Sequence, residues 1–264
     1  MAKLVLVGID PGYRDVSALQ WALEWATATK QDLLVVSGFE IGQAEIPPEF
    51  HDEMLAEAHA LIDAKIDSVE KEHRAPTQSL IVEGHPAQVV IDAVHSRDPS
   101  LVVLGSFGDG GYDQYAVGGV AHEVMAKLSR PVALVRHVGG HITGGEMIVG
   151  YDGTAATDDA LKWVLNAARS TGARVTVVAT GGTAVPEVSH RVEELAGHGI
   201  EAQIITVPGD HVDELRRLGD ERSAAMIVVG SNGAGRLREL LAGDEGARLI
   251  ERSDRPVVIV HQSN

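Results

Sequence analysis

One glycine pattern occurs twice in this chain of 264 residues and limits what the chain can fold into. The first copy is GSFG at 105–108, nine residues, and then GG at 118–119; the second is GSNG at 230–233, nine residues, and then GD at 243–244. Each copy follows a short apolar run and precedes a helical pattern. Glycine allows close approach of the backbone, and a helix start offers unpaired N–H groups at a positive dipole end. The pattern therefore predicts a phosphate-binding loop, present in duplicate.

The sequence around the glycines repeats as well. Matching segments occur early, in the middle and late in each repeat: LVLVGID at 4–10 with MIVGYD at 147–152, LVVLGSFG at 101–108 with MIVVGSNG at 226–233, and SRPVALV at 129–135 with DRPVVIV at 254–260. The offset between matching residues is 142 early in the repeat and 125 later, so the first repeat carries 17 extra residues, which fall at about 39–74. We predict that these extra residues form a lid over the first site, a partner surface or a solvated insertion.

Each repeat alternates short apolar runs with amphipathic stretches, which predicts a parallel sheet of five strands with helices on both faces. The first helix is predicted at 14–29 in repeat one and at 156–171 in repeat two. We predict a first domain at 1–138, a glycine-rich linker at 139–145 and a second domain at 146–264. Trp21 and Trp163 occupy equivalent positions on apolar helix faces, which favours core packing over ligand stacking.

Composition excludes several classes of function. The formal net charge is −16 and Lys and Arg form no run, which argues against sequence-independent nucleic-acid binding and against binding to an anionic membrane surface. The chain has no cysteine, so disulfides and thiolate metal sites are excluded. No apolar stretch approaches the roughly 18 residues of a membrane span, and the N-terminal segment does not resemble a signal peptide. We therefore expect a cytoplasmic protein.

The ends of two strands in each repeat are candidates for a site. The first strand ends at Asp10 or Asp152, and the fourth strand ends at Gly105 or Gly230. In doubly wound sheets, ligands bind at the carboxyl ends of the strands, where the strand order reverses. If both strands flank that point, a carboxylate able to accept hydrogen bonds from a ribose or base faces the same crevice as a phosphate loop. This arrangement is typical of a mononucleotide site.

The strand-end aspartates, the two glycine frames and the Arg-Pro-Val segments at 130–132 and 255–257 give the chain a resemblance to the universal stress protein family in its tandem form. The resemblance implies two tandem Rossmann-like domains of the adenine nucleotide alpha hydrolase type, each a five-stranded mainly parallel sheet with helices on both faces. It also implies that the last strands, 131–136 and 256–261, pair across a two-fold axis. The implied role is a regulatory, stress-response protein that binds ATP, with or without magnesium; AMP and cyclic AMP are further candidate ligands.

The resemblance implies a set of nucleotide-contacting positions in both repeats. In repeat one they are Gly8, Asp10, Gly105, Ser106, Gly108, Gly110, Gly118 and Gly119. In repeat two they are Gly150, Asp152, Gly230, Ser231, Gly233, Gly235, Arg236 and Gly243. The family frame usually ends in Gly followed by Ser or Thr. Here the positions after the last glycine are Gly119, which has no hydroxyl, and Asp244, whose carboxylate repels a triphosphate.

These departures keep a second hypothesis open, a nucleotide-free dimeric scaffold or interaction protein with degenerate sites. No Walker lysine follows either loop, and no acid and base are paired. We therefore expect no dedicated enzyme activity, and at most slow ATP hydrolysis or autophosphorylation. The expected partners are an adenine nucleotide, an unidentified protein, and a second copy of the chain in a homodimer beyond the internal pseudo-dimer.

Overall fold

The structure, a computed structural model, describes residues 4–40, 48–69, 75–105, 118–180, 184–208, 212–231, 249–250 and 253–262. Repeat one contains β1 (Leu4–Gly8), α1 (Ser17–Thr29), β2 (Asp32–Phe39), α2 (Pro48–Val69), β3 (Thr77–Glu83), α3 (Pro86–Arg97), β4 (Leu101–Gly105), α4 (Gly119–Lys127) and β5 (Val132–Val135). Repeat two contains β6 (Glu146–Tyr151), α5 (Ala155–Thr171), β7 (Arg174–Thr180), α6 (Ala184–Gly197), β8 (Ala202–Val207), α7 (Val212–Glu221), β9 (Met226–Ser231) and β10 (Val257–His261).

All ten strands form one sheet in the order β3-β2-β1-β4-β5-β10-β9-β6-β7-β8. Neighbouring strands within each repeat run parallel, and the repeats join through β5 and β10, which pair antiparallel with Ala133 opposite Val258. The strand order of repeat two mirrors that of repeat one about this pair. The structure thus confirms the α/β fold with five strands per repeat, and the predicted pairing of the two last strands.

The apolar runs form strands that are buried on both faces, because helices cover both sides of the sheet. Strands β4 and β10 are almost continuously buried. One core lies between the sheet and the layer of α1, α2, α5 and α6. The second core lies under α3, α4 and α7. Among the described residues, no helix is long and apolar enough to cross a bilayer.

Three tryptophans stack where the two repeats meet. The ring centroids of Trp21 and Trp25 are 5.5 Å apart, and those of Trp25 and Trp163 are 5.2 Å apart with nearly parallel planes. Trp21 is fully buried and Trp163 is partly buried, in agreement with the predicted core role. Aromatic pairs of this kind contribute about 0.5–1.5 kcal/mol beyond their buried area. The stack therefore fastens α1 to α5 across the pseudo-two-fold axis.

The stretch predicted as a linker, 139–145, packs against both repeats. Ile142 is fully buried, and its N–H donates to Oε1 of Glu24 on α1 at 2.8 Å. The Gly140 N–H donates to the carbonyl oxygen of Ala224 at 3.1 Å. A Cβ on Gly140 would lie 2.0 Å from the carbonyl oxygen of Ser223, so glycine is required there for close packing. The connection thus has fixed contacts, although its composition is that of a flexible linker.

Candidate functional site

The carboxyl ends of β1 and β4 meet at the point where the strand order of repeat one reverses. These two strands are parallel neighbours, and β2 and β5 lie on their outer sides. Strands β6 and β9 have the same relationship in repeat two. The first and fourth strands therefore flank the switch point in both repeats, as their sequences predict, and this is where doubly wound sheets bind ligands.

An open cleft lies at this point in repeat one. Its walls are the ends of β1, β2, β4 and β5, the loop after β1, and the starts of α3 and α4. Five residues of the predicted set line the cleft: Gly8, Asp10, Gly105, Gly118 and Gly119. The structure therefore brings together the acidic end of the first strand and the helix start that follows the glycine frame.

The loop after β1 presents two carboxylates to the cleft. Oδ1 of Asp10 accepts a hydrogen bond from the Gly12 N–H at 2.8 Å, which fixes the carboxyl group in a tight turn. Oδ1 of Asp15 accepts from the N–H and the hydroxyl of Ser17, at 2.9 and 2.7 Å, at the start of α1. Both aspartates and Tyr13 line the cleft. This loop thus gives one wall acceptor groups and negative charge.

The start of α4 is another part of the lining. Gly118 is the residue before the helix, and no side chain caps the helix there. Gly119 is exposed, and a Cβ built on it would have nothing within 4 Å among its neighbours. No described side chain caps this helix start, and a helix N-terminus with its positive dipole end favours an anion.

Arg136, directly after β5, also lines the cleft and was missed by the sequence reasoning. It is partly buried, and it is the one cation among the described residues of the lining. An arginine that lines the same cleft as an uncapped helix start adds positive charge that favours an anion there. A signal for it existed: Arg136 and His261 are the next residues after the matched segments 129–135 and 254–260.

Gly8 lines the cleft and also allows its neighbours to pack closely. A Cβ on Gly8 would lie 2.8 Å from Cδ2 of Leu104 and 3.2 Å from Cγ2 of Val90. Gly38, which the sequence reasoning missed, also lines the cleft, and a Cβ there would lie 2.7 Å from Cα of Pro86. These two glycines let α3 pack close to the strand ends that form the floor of the cleft.

Part of the 17-residue excess lengthens α2, which has 22 residues where its counterpart α6 has 14. Nζ of Lys65 on α2 donates to the carbonyl oxygen of Tyr13 in the cleft loop. Nε2 of His51 lies 2.6 Å from Oε2 of Glu83 at the end of β3, and this hydrogen bond raises the pKa of His51. Helix α2 is thus held near its first residues by the edge strand β3, and near its last residues by the loop that follows β1.

In repeat two, the residues equivalent to the cleft loop of repeat one form the start of a helix or support it. Helix α5 begins at Ala155, which corresponds to residue 13, whereas α1 begins at Ser17. Oδ1 of Asp152 accepts from the Thr154 N–H and the Thr157 hydroxyl, both at 2.9 Å, so this carboxylate supports the start of α5.

Gly230 lies against the extra turn of α5. A Cβ on Gly230 would lie 2.4 Å from the carbonyl oxygen of Ala156. Gly150 is buried within β6, and Ser231 is buried at the end of β9. The described part of repeat two therefore packs a helix onto the strand end where repeat one has an open cleft.

Seven predicted residues lie outside the described residues: Ser106, Gly108, Gly110, Gly233, Gly235, Arg236 and Gly243. Asp244 also lies outside them. Their proposed contacts with a nucleotide stay predictions.

The fold and the strand-end cleft place the chain among the doubly wound α/β proteins. The sequence model of the universal stress protein family matches residues 1–136 and 179–261, so the chain belongs to that family. The stretch between the two matches, 137–178, contains β6 and α5, where repeat two departs from repeat one.

Relatives agree with this assignment. The chain is 24% identical over 269 residues to universal stress protein Rv2624c of Mycobacterium tuberculosis (strain ATCC 25618 / H37Rv), with 98% of this chain and 97% of the relative covered. It is 28% identical over 150 residues to universal stress protein YxiE of Bacillus subtilis (strain 168), with 52% of this chain and 100% of YxiE covered. Because about half of this chain matches the whole of YxiE, the match agrees with a chain built from two copies of one unit.

A solved structure agrees along the full length. The crystal structure of a universal stress protein from Archaeoglobus fulgidus DSM 4304 superimposes with a TM-score of 0.79 at 19% identity, covering 98% of each chain. At that identity the likeness establishes the fold. It shows that the ten-stranded tandem arrangement also occurs in another protein of the family.

Proposed function

We propose that repeat one binds an adenine nucleotide, and that the chain acts as a stress-response regulatory protein whose nucleotide state is read by a protein partner. One observation carries the proposal: Asp10, the uncapped start of α4 and Arg136 all line the same cleft. The cleft lining therefore combines hydrogen-bond acceptors with anion-binding groups. Together they suit a ligand with a hydroxyl-bearing part and a phosphate-bearing part.

The lining supports a placement for each part of the nucleotide. Val36, Pro86 and Val90 provide an apolar surface suited to a base. Asp10 suits the ribose hydroxyls, and the start of α4 with Arg136 suits the phosphates. Asp10 and Asp15 repel a triphosphate, so we expect magnesium to assist ATP, since this ion is usually bound by carboxylates together with phosphates.

The lining also favours binding over catalysis. Among its described residues there is no lysine or histidine, and the phenol of Tyr13 is the only side-chain hydroxyl. Asp10 and Asp15 are the candidate general bases of the described lining, and each already accepts a hydrogen bond within its own loop. The expected chemistry stays limited to slow hydrolysis or autophosphorylation.

The proposal is tested by titrating the purified chain with ATP and magnesium, AMP and cyclic AMP in a calorimeter, with the variants Arg136→Gln and Arg136→Lys. Hydrogen bonds to charged groups contribute about 1.5–3 kcal/mol. Arg136→Gln is therefore expected to weaken ATP binding by roughly 10- to 150-fold, since about 1.4 kcal/mol is a factor of ten. Arg136→Lys should retain part of the affinity.

Arg130→Gln is the matched control. Arg130 is exposed and pairs with Asp98, and it does not line the cleft. The control should bind ATP like the unsubstituted chain. The proposal is overturned if the unsubstituted chain binds none of the three nucleotides, or if Arg136→Gln binds ATP as tightly as Arg130→Gln does.

A second candidate function, a nucleotide-free scaffold, is favoured by the packing of α5 against Gly230 in repeat two. The number of nucleotides bound per chain separates the alternatives, and native mass spectrometry counts them. One nucleotide supports a sensor in repeat one with a structural repeat two. A count of zero supports the scaffold for the whole chain.

A further inference from the structure

Helix α2 has a row of exposed apolar side chains, which we call the α2 stripe. Among the described residues, five large apolar side chains are exposed to solvent, and three of them, Phe50, Met54 and Leu61, lie on α2. Their exposed fractions are 54%, 38% and 42%. Separations of four and seven residues place them on one face of the helix, over a length of about 16 Å. Single exposed apolar residues are ordinary, whereas such a row indicates an interaction surface.

The α2 stripe is not the face by which the helix packs on the sheet. Ala58 and Ile62 are buried in the core, and Leu55 and Ile66 are partly buried against it. Helix α6, the counterpart in repeat two, has no exposed large apolar side chain among its described residues. The stripe is therefore a feature of repeat one that the shared fold does not require.

The charges beside the α2 stripe define its partner. Glu53 and Glu57 are exposed, and each lies within one helical turn of a stripe residue. From 50 to 69, the helix has five carboxylates and one lysine. A partner with cations next to its own apolar residues complements both the charge and the apolar surface.

Two other occupants are disfavoured by these charges. A second copy of this chain has a formal net charge of −16 and would place the same carboxylates against these ones. The anionic surface of a membrane repels them as well. A straight row with spacings of four and seven residues suits a helix that lies along α2. The stripe therefore favours a basic amphipathic helix.

The α2 stripe adjoins the cleft of repeat one. Leu61 and Lys65 are four residues apart, so they lie on the same face of α2. Nζ of Lys65 donates to the carbonyl oxygen of Tyr13 in the loop after β1, and Tyr13 lines the cleft. One hydrogen bond thus connects the cleft loop to the residue next to the stripe.

We propose that the α2 stripe is the docking surface for an amphipathic helix of another protein, with leucine-like residues on one side and Lys or Arg beside them. Docking itself does not require a nucleotide. That docking reads the state of the cleft, through Lys65 and the loop after β1, rests on the proposed function.

The test uses the full chain without nucleotide and a fluorescent synthetic peptide as the probe. The peptide is an amphipathic helix of leucine and lysine with about 18 residues, long enough to span the stripe. Fluorescence anisotropy measures its affinity. The double variant Met54→Ala with Leu61→Ala should bind about tenfold more weakly, because two apolar contacts are lost. Val82→Ala is the control, since Val82 is similarly exposed but belongs to β3.

A charge variant separates docking from general attraction of a lysine-rich peptide to an acidic chain. Glu53→Gln with Glu57→Gln should weaken peptide binding and reduce its salt dependence. Glu193→Gln with Glu194→Gln removes the same charge from α6, where both residues are exposed, and should leave binding unchanged. A peptide with glutamate in place of lysine should not bind.

Three results would overturn the docking surface. The first is equal peptide affinity of the stripe variants and their controls. The second is a lower urea midpoint in Met54→Ala with Leu61→Ala, which would mean that the chain itself covers the stripe. The third is a homodimer, seen by sedimentation velocity, that this double variant dissociates, which would assign the stripe to a second copy.

Adding ATP and magnesium separates this inference from the proposed function. We expect ATP to change the peptide affinity about fivefold or more, and Lys65→Gln to remove that change. If the chain binds ATP and the peptide affinity stays constant, the stripe does not read the cleft. If the chain binds no nucleotide but the stripe variants still weaken peptide binding, the proposed function fails and the docking surface stands.

Discussion

The two repeats share a glycine frame, yet their first loops build different surfaces. In repeat one, residues 10–16 form an open loop before α1, and the cleft lies beside it. In repeat two, the equivalent chain is already helical from Ala155, and its first turn packs against Gly230. Helix α5 therefore begins about one turn earlier than α1, and that extra turn contacts the end of β9.

The cause of this shift is local. Thr154 caps α5 by accepting a hydrogen bond from the Thr157 N–H, and Asp152 supports the same turn. At the position of Thr154, repeat one has Gly12, which has no side chain to cap a helix. The residue before α1, Val16, makes no side-chain cap either. The sequence after the strand-end aspartate thus decides where the helix begins.

The largest expected effect is on stability. It compares Gly230, which contacts α5 in repeat two, with Gly119 at the start of α4 in repeat one. Gly230→Ala places a Cβ 2.4 Å from the Ala156 carbonyl oxygen, and backbone atoms of α5 cannot move aside easily. We expect a loss of about 3 kcal/mol of unfolding free energy, the upper end for overpacking. Gly119→Ala, whose Cβ would have no atom of the described residues within 4 Å, should change stability by less than about 0.5 kcal/mol. Urea unfolding of both variants measures the difference, and equal losses would refute the assigned packing role.

The second prediction introduces into repeat one the acidic residue that repeat two has at the equivalent position. Gly119→Asp places a carboxylate where Asp244 stands in the second frame. The carboxylate interacts favourably with the dipole of α4, so stability should rise by about 0.3–1 kcal/mol. ATP binding should fall about tenfold, because the carboxylate competes with phosphate for the helix start and repels it.

Gly119→Ser is the control for this variant. It supplies the hydroxyl that the family frame usually has, and it should bind ATP at least as well as the unsubstituted chain. Calorimetric titration of both variants provides the comparison. Equal affinity of the aspartate and serine variants would show that phosphates do not lie at the start of α4.

The third prediction removes the cap that distinguishes the repeats. Thr154→Ala deletes the oxygen that accepts from the Thr157 N–H, and loss of such a cap costs about 1 kcal/mol. Amide exchange should accelerate in the first turn of α5 and leave α1 unchanged. Gly12→Ala is the matched control in repeat one, where no cap is lost. Unchanged exchange at 155–158 in Thr154→Ala would mean that packing on β9 alone fixes the helix start.

The sequence predicts the fold well, because its signals are local and repeated. Apolar runs such as LVVL and MIVV predict buried strands, and both aspartates and the first glycine of each frame lie where the strand order reverses. The start of α1 was predicted at 14 and lies at Ser17, since no residue at 14–16 caps a longer helix and the Asp15 carboxylate bonds to Ser17 instead. Boundaries of this kind depend on individual hydrogen bonds.

The site was less predictable because it depends on tertiary packing. The glycine pattern indicates a phosphate loop, but it does not show that Arg136 borders the same cleft from a strand that is distant in sequence. It also does not show that Gly230 is needed for contact with α5. Equivalent glycine frames therefore predict equivalent backbone topology, while the residues that follow each frame decide its chemistry.

The smallest expected effect concerns the α2 attachment, in which repeat one again differs from repeat two. The hydrogen bond to Glu83 raises the pKa of His51, so the folded chain holds this proton more tightly than the unfolded chain does. The attachment is therefore fully present below the ordinary histidine pKa of about 6.5 and weakens as the pH rises through the higher pKa of the folded state. Amide exchange in the first turns of α2, corrected for the intrinsic pH dependence of exchange, should show less protection on the alkaline side. His51→Gln should abolish this change, while α6 in the same spectra serves as the internal reference. A pH response of α2 that survives in His51→Gln would assign it to another group, and the attachment at β3 would then be independent of protonation.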